Sequence, residues 1–434
     1  MFLRSTASSI ATVPKKFFEV HESRLANGLQ IRLLPDHTAP IASLYTFFKV
    51  GSRNEQPGIT GISHLFEHMM FNGAKKYGPK EFDRVLESRG GRSNAYTSTD
   101  LTVYHEDFAA EALEQVLDLE SDRMRSLTIS QEILDSEREV VKEERRLRVD
   151  NEIVGLLDEE LATLVWKAHP YRWPVIGWMG DIDNISKEDY ERFFRAYYAP
   201  DNGVLYVSGD FEVEPVQRLV RQYYGDIRPG SARAPVVNSE PEQRGERVAA
   251  VRHPAQAPSL MIGYRAPAAN HPDALTLDLL QYVLSVGEGS RLKRELVYRQ
   301  SVAVSVSMDW VWRIDPGVLM FYLELEPGAD PERVQLALYR ELEKIARRGI
   351  SELERARALH NLRANQLREL ATNGGRAHAY GNYEIFLGSW REGLSLSRRY
   401  QAIGKGQVRA AAEQYFAPER RSVVTLEPLP ARAR

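Results

Sequence analysis

HLFEHMMF, residues 64–71, sets two histidines and a glutamate into a segment otherwise made of core residues. A helix burying Leu65, Phe66, Met69, Met70 and Phe71 would normally exclude His and Glu beside them. On an α-helix, residues three and four apart share a face. His64, Glu67 and His68 therefore converge on one spot while the apolar side chains wrap the rest. Imidazoles at i and i+4 can bind one Zn²⁺, with a glutamate between them as general base. The order here is the inverted H-x-x-E-H. A surface helix with two satisfied histidines fits the same eight residues, so the rest of the chain has to decide.

A catalytic zinc takes three protein ligands and keeps one position open. On the helix expected after residue 131, Glu137, Val140, Val141 and Glu144 fall at i, i+3, i+4 and i+7, one stripe of a 3.6-residue repeat. The two valines mark that stripe as buried. Two carboxylates then face the core, which is costly unless something cationic meets them. Glu144 is the expected third ligand and Glu137 an auxiliary carboxylate; a buried pairing of Glu137 with an arginine is the competing reading. Glu143, Arg145 and Arg146 are expected in solvent. A closed structural zinc would want a fourth ligand, usually a thiolate.

The chain contains no cysteine, so disulfides and thiol chemistry are excluded and any metal must sit on His, Asp or Glu. A net charge of −3 offers no basic field for nucleic acid or an acidic membrane. No stretch approaches the roughly 20 apolar residues needed to span a bilayer; Lys49 interrupts the best candidate, IASLYTFFKV. The start, MFLRSTASSIATVPKKFF, has Arg4, several serines and no acid before Glu19. That faintly resembles a transit peptide but lacks a secretory apolar run. A loose start on a cytoplasmic protein is the simpler expectation, with periplasm and mitochondrion left open.

At 434 residues the chain exceeds one ordinary core. FFEVHESRLANGLQIRLLPD predicts a hairpin about Asn27-Gly28, and IASLYTFFKVGS a further strand. Residues 93–108, SNAYTSTDLTVYHEDF, alternate and predict one strand. Helix follows from about 109 to 168, then the strand NGVLYVSGD and a helix ending near Tyr224. Residues 228–247 hold three prolines and no hydrophobic period, which makes them a linker. Beyond it the order repeats: SLMIGYRAP, helix ALTLDLLQYVLSV, strands SVAVSVSMDW and GVLMFYLELEP, helices over 331–347 and 351–371, and a closing strand RSVVTLEP. The expected fold is α+β with two similar halves, 1–227 and 248–434, each a mostly antiparallel sheet backed by helices.

HLFEH, the strand holding NAYTSTDLTVY, Glu137-Arg138 with Glu144 seven residues on, and HPYRWPVIG (169–177) occur in an order that resembles the pitrilysin and mitochondrial processing peptidase family of inverzincin zinc metallopeptidases. GEGSRLKREL (287–296) extends the likeness to the second half. The spacing from His68 to Glu144 is a residue short of the family pattern, as a loop deletion would give. The resemblance implies one zinc per chain on His64, His68 and Glu144, with Glu67 as general base. It places Glu137 on the family's additional active-site carboxylate, and Asn94 and Ala95 on the edge strand where the peptide substrate pairs. That agrees with an extended strand able to accept β-augmentation. The implied activity is zinc-dependent hydrolysis of extended or unfolded peptides inside a clamshell chamber formed with a second chain. The same family includes respiratory-complex core subunits that no longer cleave, so a structural subunit is the alternative. The remaining histidines are expected to be structural or exposed.

The chain departs from the family in one respect. Members complete on their own carry an arginine and a tyrosine seven apart after the Ser-Arg-Leu turn, and those positions fall here on Val297 and Val304. Neither side chain can donate or stack. Arg291 and Tyr298 are also seven apart but lose the register of the turn. The expectation is a heterodimer whose related partner supplies the Arg/Tyr pair, with a homodimer as the alternative.

Overall fold

Asn27 and Gly28 turn the chain where the sequence predicts, between β1 (His21–Arg24) and β2 (Gln30–Pro35), with His21 opposite Leu33. The computed structural model describes residues 19–236 and 239–429, so the Arg4 and serine-rich start lies outside the described residues. β3 (Ile41–Phe48), β4 (Arg92–Thr97), β5 (Thr102–Ala109) and β6 (Gly203–Gly209) complete a six-stranded sheet in the order β1-β2-β6-β3-β5-β4. A second sheet has the order β7-β11-β8-β10-β9, built from β7 (Arg247–Pro254), β8 (Ser259–Arg265), β9 (Ala303–Trp310), β10 (Val318–Leu325) and β11 (Arg421–Leu429).

Setting β1 aside, the two orders are the same: β2, β6, β3, β5 and β4 correspond to β7, β11, β8, β10 and β9. Each sheet has one parallel pairing, β2 with β6 and β7 with β11, and is otherwise antiparallel. The fold is therefore α+β with a repeated, mostly antiparallel sheet.

The strand expected over 93–108 is instead the hairpin β4–β5. The Ser98 hydroxyl accepts the backbone N–H groups of Asp100 and Leu101 and turns the chain without Gly or Pro. β4 pairs only with β5 among the described residues and ends the sheet.

The helices of the first half are α1 (Ile62–Met69), α2 (Glu81–Ser88), α3 (Leu113–Ser126), α4 (Gln131–Arg145), α5 (Ile153–Val165), α6 (Met179–Asn184), α7 (Lys187–Tyr197) and α8 (Val213–Tyr224). Those of the second are α9 (Ala274–Leu284), α10 (Pro331–Arg348), α11 (Glu352–Glu369), α12 (Asn373–Leu387), α13 (Glu392–Ala402) and α14 (Lys405–Tyr415). The sequence pattern predicts helices only as far as 371, and α12, α13 and α14 lie beyond that point.

Two helices cross between the halves. α5 packs on β7, β8 and β11 of the second sheet, while α12 packs on β3 and β6 of the first. Leu157, Leu161 and Val165 bury against Met261, Val424 and Leu426. In return Ala377 and Tyr380 join the core that holds Tyr45, Phe47 and Tyr206. α12 approaches closely because it carries glycine: a Cβ on Gly381 would lie 2.1 Å from the Phe47 ring. Each half thus completes the other's core, and apolar burial holds them together.

Candidate metal centre

α1 is fixed at its N-terminus by backbone contacts that only glycine permits. Gly61, at φ +91°, precedes the helix, and Gly177, at φ +84°, lies against it. A Cβ on Gly177 would fall 2.3 Å from the Thr60 carbonyl oxygen, and one on Gly61 2.4 Å from that of Ile176. This accounts for the glycine closing HPYRWPVIG. Glu55 caps the helix, accepting the Gly61 and Ser63 backbone N–H groups at 2.8 Å each. Burial pushes that carboxyl up to about 8. Asp181 accepts the N–H groups of Gly58 and Thr60 and the Thr60 hydroxyl. Leu65, Phe66 and Met69 are fully buried, with Phe66 stacked on Tyr190 at 3.6 Å between ring centroids. With the apolar face anchored, His64, Glu67 and His68 can only face α4 and β4.

α4 meets them with carboxylates. The nearest nitrogens and oxygens of His64, His68 and Glu144 lie within 4.8 Å of one another. Glu144 Oε2 is 3.7 Å from His64 Nε2 and 3.2 Å from His68 Nε2. Its other oxygen is held by Arg148 at 3.0 Å, which leaves Oε2 for the cluster. Arg148 reaches it from a π-helical turn, Arg146–Asp150, a break in helix geometry that recurs at functional sites.

Glu137 stands behind. Its Oε2 is 3.4 Å from His68 Nδ1, and Oε1 accepts the Asn72 amide at 2.9 Å. That is the carboxylate–histidine arrangement that orients a metal-binding imidazole. Two imidazoles and one carboxylate are the donor count of an open zinc site, and the residues fit zinc.

The electrostatics separate the groups. Burial and the neighbouring His68 push His64 well below the usual imidazole range. Against its own burial, Glu137 and Glu144 raise His68 to about 9. Contact with His68 holds both carboxyls below their ordinary value. Burial moves Glu67 the other way, above its ordinary value, opposed by Thr97 and His68. Glu67 is thus the carboxyl of the site best suited to take up a proton.

Several expectations need correction. Val141 is fully buried but Val140 is 48% exposed, so the buried stripe of α4 is narrower than the helical spacing predicts. Glu137 pairs with His68, as an auxiliary carboxylate would, and the competing arginine pair is not formed. Arg145 is not in solvent: it is buried, donating to both Glu159 oxygens and to the Gly177 carbonyl. Glu143 and Arg146 do form an exposed pair. Of the other histidines, His169 is buried between Asp315 and the Tyr171 N–H at the seam of the halves.

Asn94 and Ala95 lie on β4 beside the cluster, with Ala95 buried toward α1 and Asn94 exposed. The Asn94 side chain accepts the Ala95 N–H at 2.9 Å. Val297 is half-buried and Val304 half-exposed on β9. Arg291 donates to both Glu354 oxygens, at 2.9 and 2.8 Å, and the exposed Tyr298 bonds Glu288. Glu55, Asn72, Thr97 and Arg148 escaped the sequence reading. Asn72 alone carried a signal, four residues after His68 on the same face.

The chain is thus a two-half α+β protein whose first sheet carries a His-His-Glu cluster able to hold a metal. Residues 31–177 match the family described as Insulinase (Peptidase family M16), and residues 184–362 that described as Peptidase M16 inactive domain. "Zinc protease PqqE" of Helicobacter pylori is 30% identical over 421 residues, 95% of this chain and 94% of that one. "Probable mitochondrial-processing peptidase subunit beta" of Arabidopsis thaliana is 22% identical over 412 residues, 92% and 76% of the two chains. The crystal structure of a protease from Helicobacter pylori superposes with a TM-score of 0.91 at 29% identity, covering 94% of this chain and all of that one. The chain belongs to peptidase family M16, the insulinase or pitrilysin-like family. No helix among the described residues is long and apolar enough to cross a membrane.

Proposed function

We propose that the chain is the zinc-bearing catalytic subunit of an endopeptidase that hydrolyses extended or unfolded peptides, its first half (1–227) carrying the chemistry and its second (248–434) enclosing the substrate. The observation that carries this reading is the convergence of His64, His68 and Glu144, with Glu67 beside them but outside the cluster. Zinc held by those three residues, one per chain, supplies Lewis acidity at the scissile carbonyl and toward water. Glu67 takes the proton of the attacking water and returns it to the leaving amine. Glu137 keeps His68 oriented. The outer edge of β4, at Asn94 and Ala95, holds the peptide as an added strand.

The partner reading rests on Val297 and Val304. Neither can bind a substrate carbonyl, and Arg291 is tied to Glu354. The chain alone should therefore cleave weakly, and a related chain bearing the Arg/Tyr pair should restore activity. Size-exclusion chromatography with a fluorogenic-peptide assay on each fraction tests this; full activity of the chain alone would overturn it.

A non-catalytic structural subunit is the second reading, favoured by the inactive-domain match over 184–362. That match leaves the metal cluster outside it. Zinc content together with chelator-sensitive peptide hydrolysis separates the two.

A further inference from the structure

The repeat of topology gives the metal centre a counterpart in the second half. α9 corresponds to α1 as the helix after the second strand of the repeat, and β9 corresponds to β4. On α9, Asp278, Gln281 and Tyr282 have the i, i+3, i+4 spacing of His64, Glu67 and His68. As α4 reaches His68 through a carboxylate, α11 reaches the Tyr282 hydroxyl through the Asn365 amide. No metal-binding set remains: Asp278 accepts Trp312 Nε1 at 3.1 Å and the Tyr400 hydroxyl at 2.6 Å.

In its place is a cavity of about 530 Å³. Tyr282, Trp310, Trp312, Leu362, Tyr383 and Phe386 make its walls aromatic and apolar. Val311, on its lining, is 60% exposed. Such size and lining, at a junction between halves, suit a ligand with a large apolar group.

One wall comes from the first half. Tyr96, Ser98 and Thr99, from the end of β4 and its turn, line the cavity. The Tyr96 hydroxyl bonds His378 Nε2 of α12 at 3.0 Å. Side chains alternate along a strand. Ala95 faces the α1 side, whereas Tyr96 faces the cavity. Residues directly opposite across a strand pair point to the same face. A peptide added to β4 thus aims alternate side chains at the metal cluster and at the cavity.

We propose that this cavity, the counterpart of the metal centre in the second half, receives a large aromatic side chain of a peptide substrate held on β4. The proposal rests on the peptidase reading above and adds a substrate class: extended peptides with Phe, Tyr or Trp at one set distance from the cleaved bond. Tyr96 lies between the two sites, since it borders the cavity while its neighbour Ala95 packs toward α1.

The test uses the full chain as Glu67→Gln, which binds without cleaving, and two unstructured peptides differing only by Phe or Ala at one position. Calorimetry should show the Phe peptide binding on the order of tenfold to a hundredfold tighter. Leu362→Trp, which fills the cavity, and Val311→Asp, which sets a charge on its exposed rim, should each pull that ratio toward one. In a preparation that cleaves, moving the Phe along the peptide should move the cleaved bond by the same number of residues, read by mass spectrometry. Equal affinities, or a preference that both variants leave intact, would overturn the proposal. Aromatic-selective binding with no cleavage by any preparation would sink the peptidase reading and leave the cavity assigned. Cleavage indifferent to the Phe position would do the reverse.

Discussion

Exchanging Glu137 for Gln separates the ligand from the residue that orients it. The Glu137 carboxylate faces His68 Nδ1 at 3.4 Å through one oxygen and the Asn72 amide at 2.9 Å through the other. With a metal on His68 Nε2, Nδ1 carries the proton, so both partners are donors. A carboxylate accepts from both. An amide has one acceptor oxygen, so whichever way it turns, one contact becomes donor against donor. Losing such an outer partner weakens metal binding by about 10–100-fold, or about 1.4–2.8 kcal/mol. Glu137→Gln should therefore still load with zinc when the metal is in excess, bind it roughly 10- to 100-fold more weakly, and lose activity. Glu144→Gln instead removes the charge of a ligand atom, and its loss of affinity should exceed ~100-fold. Competition against a chromophoric chelator measures both, with wild type alongside. If Glu137→Gln is the variant that arrives zinc-free while Glu144→Gln binds like wild type, the assignment of the two carboxylates is wrong.

Gly177→Ala should destabilise the chain by about 2–5 kcal/mol, the sum of left-handed strain and a backbone clash, because its Cβ would fall 2.3 Å from the Thr60 carbonyl; a urea midpoint equal to wild type would refute the α1 anchor. Arg291→Met should cost about 1 kcal/mol or less, since the pair with Glu354 is partly exposed, and should leave peptide KM unchanged. Against burial, Arg291 and Ser351 hold the Glu354 carboxyl down at about 2, below its ordinary 4.5. A depressed carboxyl stabilises the fold above its unfolded value and loses that contribution as pH falls toward about 2. The difference between Arg291→Met and wild type should then be full near pH 7 and gone by pH 2; a change in KM with no stability difference would return Arg291 to the substrate site.

How much of this was legible in the sequence follows from which forces are local. The metal cluster was legible because helix periodicity brings His64, Glu67 and His68 together whatever surrounds them, and Glu144 follows from the same rule on α4. Val140 and Arg145 were misplaced for a long-range reason. Their exposure depends on where α6 and the Gly177 loop pack, and a guanidinium can be buried once Glu159 and a carbonyl meet its fork. The β4–β5 turn was missed because a serine hydroxyl makes it, within a run whose Thr, Tyr and Val all favour strand. α12 escaped because Gly374, Gly375 and Gly381 look like breakers, whereas Gly381 is what lets the helix lie against Phe47. The exchange of α5 and α12 between halves could not be read from either helix, since a buried face does not say which sheet buries it.

The most direct measurement is zinc content and peptide turnover of Glu67→Gln, prepared with whatever partner gives the wild-type chain its activity. Glu67 lies outside the metal cluster and is the proton acceptor proposed for the attacking water, so the variant should hold as much zinc as wild type and lose roughly 10²–10⁴ in turnover. Undiminished turnover with zinc in place would contradict the account.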